Sequence, residues 1–391
     1  MSGPVAVRTI AVLTTGRQDW GILRSPCVAI RTEPVLRLVV AAGGMHLSLA
    51  HGHTIDGVRS DGFDPHELAA WLPLDERVAD PSAVRQASGA LAAVGAWLEA
   101  TRPDALVLAG DRLETASAAL AATLTGVPII HLHGGEQTLG AFDDALRHAI
   151  TKLAHLHLVS HEEHAARVIA LGEDPASVHV VGAPGLDNLH RDDLSGRAEL
   201  ETLIGIPLRP PVVVVTVHPA TLDVDPAGAA RAVARAMDAV PATYVVTLPN
   251  TDPGGHDVGG VMRAAAEAGP GRAAVAALGE RGYWGLLRIA DAMLGNSSSG
   301  LIEAPAVGLP VVDVGDRQGG RRREANVIGA PADGQAVAVA LRHALDPAFR
   351  AALPPLDPRL TDGRAGERVA RIIATWQPPS PPRKPPVRIE R

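Results

Sequence analysis

The chain contains very little cysteine and lysine. Cys27 is the only cysteine among 391 residues, which excludes an intramolecular disulfide and a thiolate metal cluster. Lys152 and Lys384 are the only lysines, so all but two of the 36 basic residues are arginine. Schiff-base catalysis would therefore have to use Lys152, because Lys384 lies in a Pro-rich terminal segment.

An excess of basic charge and long apolar runs are also missing. The formal net charge is −7, with 43 acidic against 36 basic residues, and this balance offers no electrostatic footprint for nucleic acid or an anionic membrane. No apolar run reaches the length of a membrane helix. The N-terminal stretch has no basic region followed by an apolar segment and a cleavage site. We therefore expect a cytoplasmic protein that binds neither nucleic acid nor membrane.

Short β-branched runs alternate with Ala-rich stretches of helical length. Buried strands are predicted for TIAVLTT, LRLVVAAG, ALVLAG, PIIHLH, LHLVS, VHVVG, VVVVTV, TYVVTLP, AAVAAL, AMLGN and PVVDVG. Helices are predicted between them, for example over Ala83–Ala100 and Thr115–Leu124. Strands separated by helices imply right-handed βαβ units and a parallel sheet.

The length of the chain favours two domains. The alternation pauses at Asn188–Pro211 and then resumes. We predict an α/β, GT-B-like fold with two doubly wound, Rossmann-like domains and an intervening cleft, where ligands lie at the carboxyl ends of the strands. The predicted parts are an N-terminal domain (1–190), a C-terminal nucleotide-binding domain (191–365), a helix crossing back to the first domain (366–376) and a disordered Pro-rich tail (377–391).

The segment AMLGNSSSGLIEAP is typical of a strand, a Gly/Ser turn and a helix. Serine hydroxyls and unpaired N–H groups at a helix N-terminus favour a bound anion such as a diphosphate. Glu303 follows one turn later, where its carboxylate can accept hydrogen bonds from ribose hydroxyls. A Ser-rich helix cap explains the same residues without a ligand. A Walker lysine motif and a GxGxxG turn are absent from this segment, so an ATP or NAD site has no support.

Acids and imidazoles follow several apolar strands. Asp111 lies in LAGDRLE, His133 and Glu136 lie in IIHLHGGEQ, and His218 follows VVVVTV. An α/β fold places catalytic groups at such strand ends. Taken one at a time, each acid could equally well cap a helix. Each histidine could equally well be a buried core residue with hydrogen-bond partners. Metal binding is the sharper alternative for the histidines, but the spacing of HEEH at 161–164 differs from that of a zinc-binding HExxH helix.

In combination, these segments resemble the hydrolysing UDP-N-acetylglucosamine 2-epimerases, especially the branch that forms N-acetylmannosamine for sialic acid synthesis. The stretches that carry the resemblance are TTGRQDWGILR, GGMHLS, HGHT, AGDRLE, HLHGGEQTLGAFDDALRHAITKLAHLHLVS, VVGAPGLDNL, TVHPATLD, LPNTDPGG and GNSSSGLIEAP…VGDRQGGRRREANVI. They run in order through most of the chain. The resemblance implies a homodimeric enzyme that acts on a UDP-sugar without a metal or other cofactor.

The resemblance also implies a role for individual residues. By motif position, Asp111, Glu136 and Asp143 form the acid–base set, and His218 contacts the phosphates and assists the leaving group. Tyr283 falls where the family often has an aromatic residue against the base of the nucleotide, and His46 falls near the sugar. The full set of predicted substrate-binding residues is Arg17, His46, Arg112, His133, Asp144, Asn250, Tyr283, Ser297, Ser298, Ser299, Gly300, Glu303 and Arg317.

The chain departs from the family pattern around the sugar. Some members have Glu in place of His133, and many have Glu in place of Asp144. An epimerase-like enzyme recruited to a different sugar nucleotide or sugar phosphate is therefore the alternative. A retaining GT-B glycosyltransferase shares the Ser/Glu diphosphate site but needs an acceptor pocket. A catalytically inactive nucleotide-sugar sensor fits less well, because the acidic set is intact.

Overall fold

A computed structural model describes residues 7–74, 81–250, 252–354 and 362–384. The chain divides into two compact units. The first consists of Met1–Glu136, Asp143–Asn188 and Asp362–Arg391, and the second of Gln137–Phe142 and Leu189–Thr361. Each unit is built around one parallel β-sheet with helices between its strands.

The first unit has a seven-stranded sheet in the order β3-β2-β1-β4-β5-β6-β7. Its strands are β1 (Arg8–Thr14), β2 (Leu36–Ala42), β3 (His66–Glu67), β4 (Ala105–Ala109), β5 (Ile129–Leu132), β6 (Leu156–Val159) and β7 (Val178–Val180). Every residue of β4, β5 and β6 is buried, as expected of strands with helices over both faces. The carboxyl ends of these three neighbouring strands therefore lie side by side.

The helices of the first unit follow its strands. They are α1 (Arg17–Thr32), α2 (Ile55–Ser60), α3 (Ala83–Thr101), α4 (Leu113–Thr125), α5 (Asp143–Leu153) and α6 (Glu162–Ala170), with α14 (Ala365–Thr375) from the end of the chain. Helices α1 and α14 pack against each other, and their apolar faces share one cluster of buried side chains with the sheet, including Leu23, Ile30, Val369 and Ile373.

The second unit repeats the pattern with a six-stranded sheet in the order β10-β9-β8-β11-β12-β13. Its strands are β8 (Val212–Thr216), β9 (Thr243–Thr247), β10 (Arg272–Val275), β11 (Ala292–Gly295), β12 (Val311–Val314) and β13 (Val327–Ala330). Its helices are α7 (Arg197–Ile204), α8 (Gly228–Ala239), α9 (Gly255–Glu267), α10 (Gly279–Ile289), α11 (Ser299–Ala306), α12 (Gly334–Ala344) and α13 (Pro347–Ala351). All strand pairs in both sheets are parallel.

Eleven strands match predicted segments, and the predicted α/β fold with parallel sheets is confirmed. Strands β3 and β13 were not predicted. β3 has only two residues, both exposed, and only one of the four residues of β13 is fully buried, so neither produces a strong apolar run. Within the described ranges, no helix is long and apolar enough to cross a membrane.

Part of the predicted Pro-rich tail lies within the described residues. The Lys384 ammonium donates to the Lys152 carbonyl at 2.8 Å and pairs with Glu173 Oε2 at 2.5 Å. Lys152 Nζ contacts Glu173 Oε1 at 2.6 Å. Both lysines of the chain therefore meet on one buried carboxylate of the first unit. The rest of the predicted tail, 385–391, lies outside the described residues.

Gly295, at the end of β11, occupies a position that only glycine fits. Its φ is +143°, and a Cβ built on it would lie 1.9 Å from the Thr216 carbonyl oxygen on the neighbouring strand. Gly295→Ala is expected to lower the free energy of unfolding by about 2 kcal/mol or more, from backbone strain and overpacking. Urea denaturation measures this loss.

Gly260→Ala is the matched control, because Gly260 is an exposed residue of α9 whose added Cβ would meet nothing within 4 Å. Alanine at this position should be neutral or slightly stabilising, because it favours the helix more than glycine does. Equal stability of the two variants would contradict the close approach between β8 and β11.

Candidate active site

Arg147 is the centre of an acidic cluster in the first unit. It lies on α5 and is 1% exposed. Its guanidinium contacts the Asp111 carboxylate, which follows β4, and Asp144 Oδ1 at 3.4 Å. It also donates to the Glu136 carbonyl oxygen at 2.9 Å. The loop after β4, the loop after β5 and the first turn of α5 are thereby held around one buried positive charge.

The electrostatics of Arg147 show how many acids surround it. Burial alone would lower its pKa, but the charges of Asp111, Glu136, Asp144 and Asp143 outweigh burial and raise it. Asp143 and Asp144 are the first two residues of α5, where the helix dipole also favours negative charge. The predicted acid–base residues Asp111, Glu136 and Asp143 are thus brought together within one unit.

The two histidines of the HLH segment have different surroundings. His131 is fully buried in β5, with Nδ1 3.2 Å from Thr151 Oγ1 and Nε2 2.8 Å from the Gly110 carbonyl oxygen. Burial lowers the pKa of His131 to about 3, so it is a neutral core histidine. His133 lies just beyond β5 with a φ of +63°, and its Nδ1 is 2.6 Å from Glu136 Oε1.

Glu136 has further partners at the end of β6. Ser160 Oγ donates to Glu136 Oε1 at 3.2 Å, and the same hydroxyl is 2.9 Å from His164 Nδ1 on α6. Burial lowers the pKa of His164 to about 4, against the attraction of Glu136. His133, Glu136, Ser160 and His164 therefore form one connected polar group.

His46, which the family resemblance places near the sugar, is held by two threonine side chains inside the first unit. His46 is fully buried, and its Nε2 and Nδ1 each lie 2.8 Å from a threonine hydroxyl, those of Thr14 and Thr54. Burial lowers the pKa of His46 to about 3. Both ring nitrogens therefore have partners within the fold, and a position of His46 near the sugar stays a prediction. A motif position shows which residue is present, but not which partners its side chain finds.

Two other predicted residues of the first unit lie at strand ends. Arg17 is the first residue of α1, directly after the turn that follows β1. Arg112 follows β4, is 7% exposed and contacts Glu114 Oε1 at 3.2 Å. The Asp19 carboxylate interacts electrostatically with Arg112. Burial raises the pKa of Asp19 to about 6, whereas the charge of Arg112 and the hydrogen bonds from Thr15 act to lower it.

In the second unit, His218 and Asn296 connect two neighbouring strand ends. The His218 N–H donates to Asn296 Oδ1 at 2.7 Å, and Asn296 Nδ2 donates back to the His218 carbonyl at 2.9 Å. Arg317, which follows β12, donates to the carbonyls of Pro219 at 3.2 Å and Asn296 at 3.3 Å. The loops that carry His218, the serine turn and Arg317 are therefore fixed to one another.

The serine turn leads directly into α11. Ser298 is its N-cap, and Ser299 and Gly300 are its first two residues. The Ser299 N–H donates to Ser297 Oγ at 3.3 Å. Tyr283 on α10 is predicted to lie beside the base of the nucleotide. Its hydroxyl lies 2.5 Å from Ser299 Oγ. Tyr283 therefore also supports the turn.

Asn250 and Glu303 complete the predicted set. Asn250 follows β9 and is half-buried. Glu303 is half-buried on α11, one turn beyond the serines. All predicted residues of the second unit except Tyr283 and those on α11 (Ser299, Gly300 and Glu303) lie in the loops after β8, β9, β11 and β12, four neighbouring strands.

Sequence reasoning missed four residues of the first unit: Asp19, Arg147, Ser160 and His164. Arg147 lies in one of the stretches that carry the family resemblance, but no role was predicted for it. The pattern around it reads as an ordinary helix, and only the packing shows that it meets the acids. Within the described ranges, no group of three or more His, Cys, Asp or Glu side chains is placed to hold a metal ion.

The fold and these sites define a class of protein: a two-unit α/β protein with a cluster of acids around a buried arginine in one unit and a serine turn at a helix N-terminus in the other. A solved structure entitled UDP-GlcNAc 2-epimerase from Neisseria meningitidis bound to UDP-GlcNAc matches with a TM-score of 0.77 at 15% identity, over 93% of this chain and 99% of that one. This similarity shows a GT-B-like fold.

Sequence comparison identifies the family. The profile of the UDP-N-acetylglucosamine 2-epimerases matches residues 28–374. A Legionella pneumophila protein named UDP-N,N'-diacetylbacillosamine 2-epimerase (hydrolyzing) is 32% identical over 377 residues, which cover 94% of this chain and 96% of that protein. Escherichia coli polysialic acid biosynthesis protein P7 is 32% identical over 349 residues, 88% of each chain. The chain belongs to the UDP-N-acetylglucosamine 2-epimerase family and is a hydrolysing nucleotide-sugar 2-epimerase.

Proposed function

We propose that this enzyme converts UDP-N-acetylglucosamine and water into UDP and N-acetylmannosamine. The observation that carries the proposal is the cluster of Asp111, Glu136 and Asp143 around buried Arg147 in the first unit. Removing and returning a proton at one carbon requires several acid–base groups in one place, and each well-placed group contributes roughly 10²–10⁴ in rate. A glycosyltransferase has no use for three acids around C2.

The first half of the reaction is an elimination. A base takes the proton from C2, the electrons of that C–H bond form the C1=C2 double bond, and the C1–O bond breaks with its electrons leaving on UDP. The products are UDP and a glycal. His218 contacts the diphosphate and assists its departure, because developing negative charge on the leaving group needs a hydrogen-bond donor.

The second half is a hydration with inversion at C2. An acid returns a proton to C2 on the face opposite to the one it left, and the hydroxyl of water adds to C1. Two chemical groups on different sides of the sugar are needed, one basic and one acidic. The cluster supplies both kinds, because Asp111, Glu136 and Asp143 come from different segments of the first unit. No metal or redox cofactor takes part.

UDP is held by the second unit. The N-terminus of α11 presents N–H groups and serine hydroxyls to the diphosphate, Arg317 adds positive charge, and Glu303 accepts hydrogen bonds from the ribose. Asn250 lies beside the nucleotide, and the family resemblance adds Arg17 and Arg112 to the residues that hold UDP. His133 and Asp144 contact the sugar. The family resemblance adds a cytoplasmic homodimer to this proposal.

UDP-N,N'-diacetylbacillosamine is a second candidate substrate. The name of the Legionella pneumophila relative, 32% identical over 94% of this chain, favours it. The two sugars share the N-acetyl group and the proton at C2, so the same elimination applies to both. They differ at C4 and C6, which the acid cluster does not need to touch.

The proposed function is tested by incubating the pure full-length protein with UDP-N-acetylglucosamine, UDP-N,N'-diacetylbacillosamine or UDP-glucose, without an acceptor. UDP release and the free sugar are followed together. Release from the first substrate with N-acetylmannosamine as product supports the proposal, and release from the second alone selects the alternative. Release that requires an added acceptor identifies a glycosyltransferase.

The role of Glu303 makes a separate prediction. Glu303→Ala is expected to weaken UDP binding by at least about 1 kcal/mol, the usual net contribution of one hydrogen bond. Calorimetry with UDP measures the change. Glu267→Ala, which alters an exposed carboxylate at the end of α9, is the matched control. Unchanged affinity in Glu303→Ala would remove this residue from the nucleotide site.

A further inference from the structure

His133 and Glu136 form a histidine–carboxylate pair of a kind that the sequence roles do not describe. His133 is 6% exposed and Glu136 is 5% exposed. Their contact, His133 Nδ1 to Glu136 Oε1, is 2.6 Å long. An ionised carboxylate can only accept, so His133 Nδ1 must carry the hydrogen. In the neutral ring, the lone pair then lies on Nε2.

The second nitrogen of His133 points to a ligand. Among the residues that the structure describes, His133 Nε2 is buried without a hydrogen-bond partner. His131, two residues earlier, has partners on both nitrogens. A buried polar atom without a partner is costly in a fold, and a function at that atom accounts for it. The pairing of a carboxylate with Nδ1 and a reactive Nε2 is the arrangement of base and orienting acid in hydrolytic triads.

The backbone supports the same interpretation. His133 has a φ of +63°, a left-handed conformation that costs a non-glycine residue free energy and is concentrated at functional positions. Two arginines hold the following turn: the buried Arg147 donates to the Glu136 carbonyl at 2.9 Å, and the half-buried Arg167 donates to the Gly135 carbonyl. The conformation at His133 is therefore imposed by its surroundings.

Ser160 and His164 hold the other side of the carboxylate. The Ser160 hydroxyl has one hydrogen and donates it to Glu136 Oε1, so its oxygen accepts from His164 Nδ1–H, 2.9 Å away. His133 and Ser160 both donate to the same oxygen of Glu136. This carboxylate oxygen is consequently committed to orientation and is poorly placed to take a proton from carbon.

We propose that His133 Nε2 is the base that takes the proton from C2 of the sugar, that Glu136 orients His133 and stabilises its protonated form, and that Ser160 and His164 are positioning residues for Glu136. This assignment deepens the proposed function and rests on it. In the elimination, Nε2 forms a bond to the C2 proton, the C–H electrons become the C1=C2 double bond, and UDP leaves with the C1–O electrons. Asp111 and Asp143 remain available for the hydration.

Chemical rescue tests the assignment. Glycine adopts a φ of +63° without strain, so His133→Gly removes the ring and leaves space for a free imidazole. UDP release is expected to fall by roughly 10²–10⁴ and to recover at least about tenfold on addition of imidazole. Glu136→Gly, as the matched control, should not be rescued. A His133→Gly enzyme that binds UDP like the wild type but gains nothing from imidazole would overturn the proposal.

A double-mutant cycle separates orientation from independent chemistry. If Glu136 acts through His133, the double variant His133→Gln/Glu136→Gln should be no slower than His133→Gln alone, because groups that act as one unit are not additive. If the rate losses of the two single variants multiply in the double variant, His133 and Glu136 have separate roles.

Ser160→Ala should lower kcat several-fold with KM unchanged, and Ser160→Thr, which keeps the hydroxyl, should recover most of the lost kcat. If Ser160→Thr loses as much kcat as Ser160→Ala, the hydroxyl of Ser160 does not position Glu136.

One readout does not depend on the reaction. Nitrogen-15 spectra of histidine-labelled protein, with His133→Gln to assign the signal, should show His133 protonated at Nδ1 and not at Nε2. A hydrogen on Nε2 instead of Nδ1 would contradict the proposed His133–Glu136 pair even if the enzyme is active. Wild-type protein that shows the Nδ1–H tautomer but releases no UDP from any sugar nucleotide would instead contradict the proposed function.

Discussion

Asp143→Asn is expected to reduce turnover by roughly 10² or more while UDP binding persists. The substitution keeps the shape of the side chain and removes its capacity to exchange a proton. Asp143 is 6% exposed and adds to the negative charge around Arg147, so it belongs to the acid cluster that the proposed function assigns to the sugar. Initial rates of UDP release and of free-sugar formation, with UDP affinity from calorimetry, measure the effect.

The two rates also place Asp143 in the reaction. Loss of both assigns it to the elimination, whereas persistent UDP release with accumulation of a glycal assigns it to the hydration. Glu99→Gln is the matched control, because it neutralises an exposed carboxylate on α3 of the same unit. An Asp143→Asn enzyme with wild-type turnover would remove this residue from the acid–base set.

Arg147→Met is expected to lower the free energy of unfolding by about 3–5 kcal/mol, the usual cost of removing one partner from a buried ion pair. Arg147 is 1% exposed and contacts the Asp111 and Asp144 carboxylates and the Glu136 carbonyl. Methionine fills part of the space but supplies no charge and no donor. Urea denaturation at neutral pH, extrapolated linearly, measures the loss.

Arg85→Met removes an exposed arginine from α3 and should leave stability nearly unchanged. Arg147→Lys is informative as well, because it keeps the charge but loses the forked donors, and its stability should lie between wild type and Arg147→Met. If Arg147→Met were as stable as Arg85→Met, the acids would not depend on Arg147 for their arrangement.

The sheets were predictable because buried parallel strands are continuous apolar runs that few other elements imitate. VVVVTV became β8, which is buried at every residue. β13 was not predicted because only one of its four residues is fully buried and one is a glycine. The boundaries of α3 and α4 differ from the predicted Ala83–Ala100 and Thr115–Leu124 by no more than two residues at each end.

For the candidate site, the sequence could predict only those residues that directly follow a buried strand. Asp111, His133 and His218 follow buried strands, and topology then brings neighbouring ends together. Partners within the packed fold could not be predicted. His46 and His133 look alike in sequence, yet both nitrogens of His46 are occupied by threonine hydroxyls, whereas His133 is bonded through one nitrogen to a carboxylate.

The Glu136 network illustrates the same limit. Ser160 and His164 belong to a segment whose histidine spacing raised only the question of a metal. Ser160 lies at the end of β6 and His164 on α6, and the helix places both beside Glu136. The contact depends on the pairing of β5 with β6, which a local sequence pattern does not contain.

The central claim is that the enzyme epimerises C2 by elimination and hydration, and product analysis in heavy water tests it most directly. Wild-type protein is incubated with UDP-N-acetylglucosamine in deuterium oxide, and the free sugar is examined by proton NMR and mass spectrometry. The account predicts N-acetylmannosamine carrying one deuterium at C2, formed together with UDP, because the proton removed in the elimination is replaced from solvent. Free N-acetylglucosamine that retains its proton at C2 would contradict the account, because it is the product of simple hydrolysis.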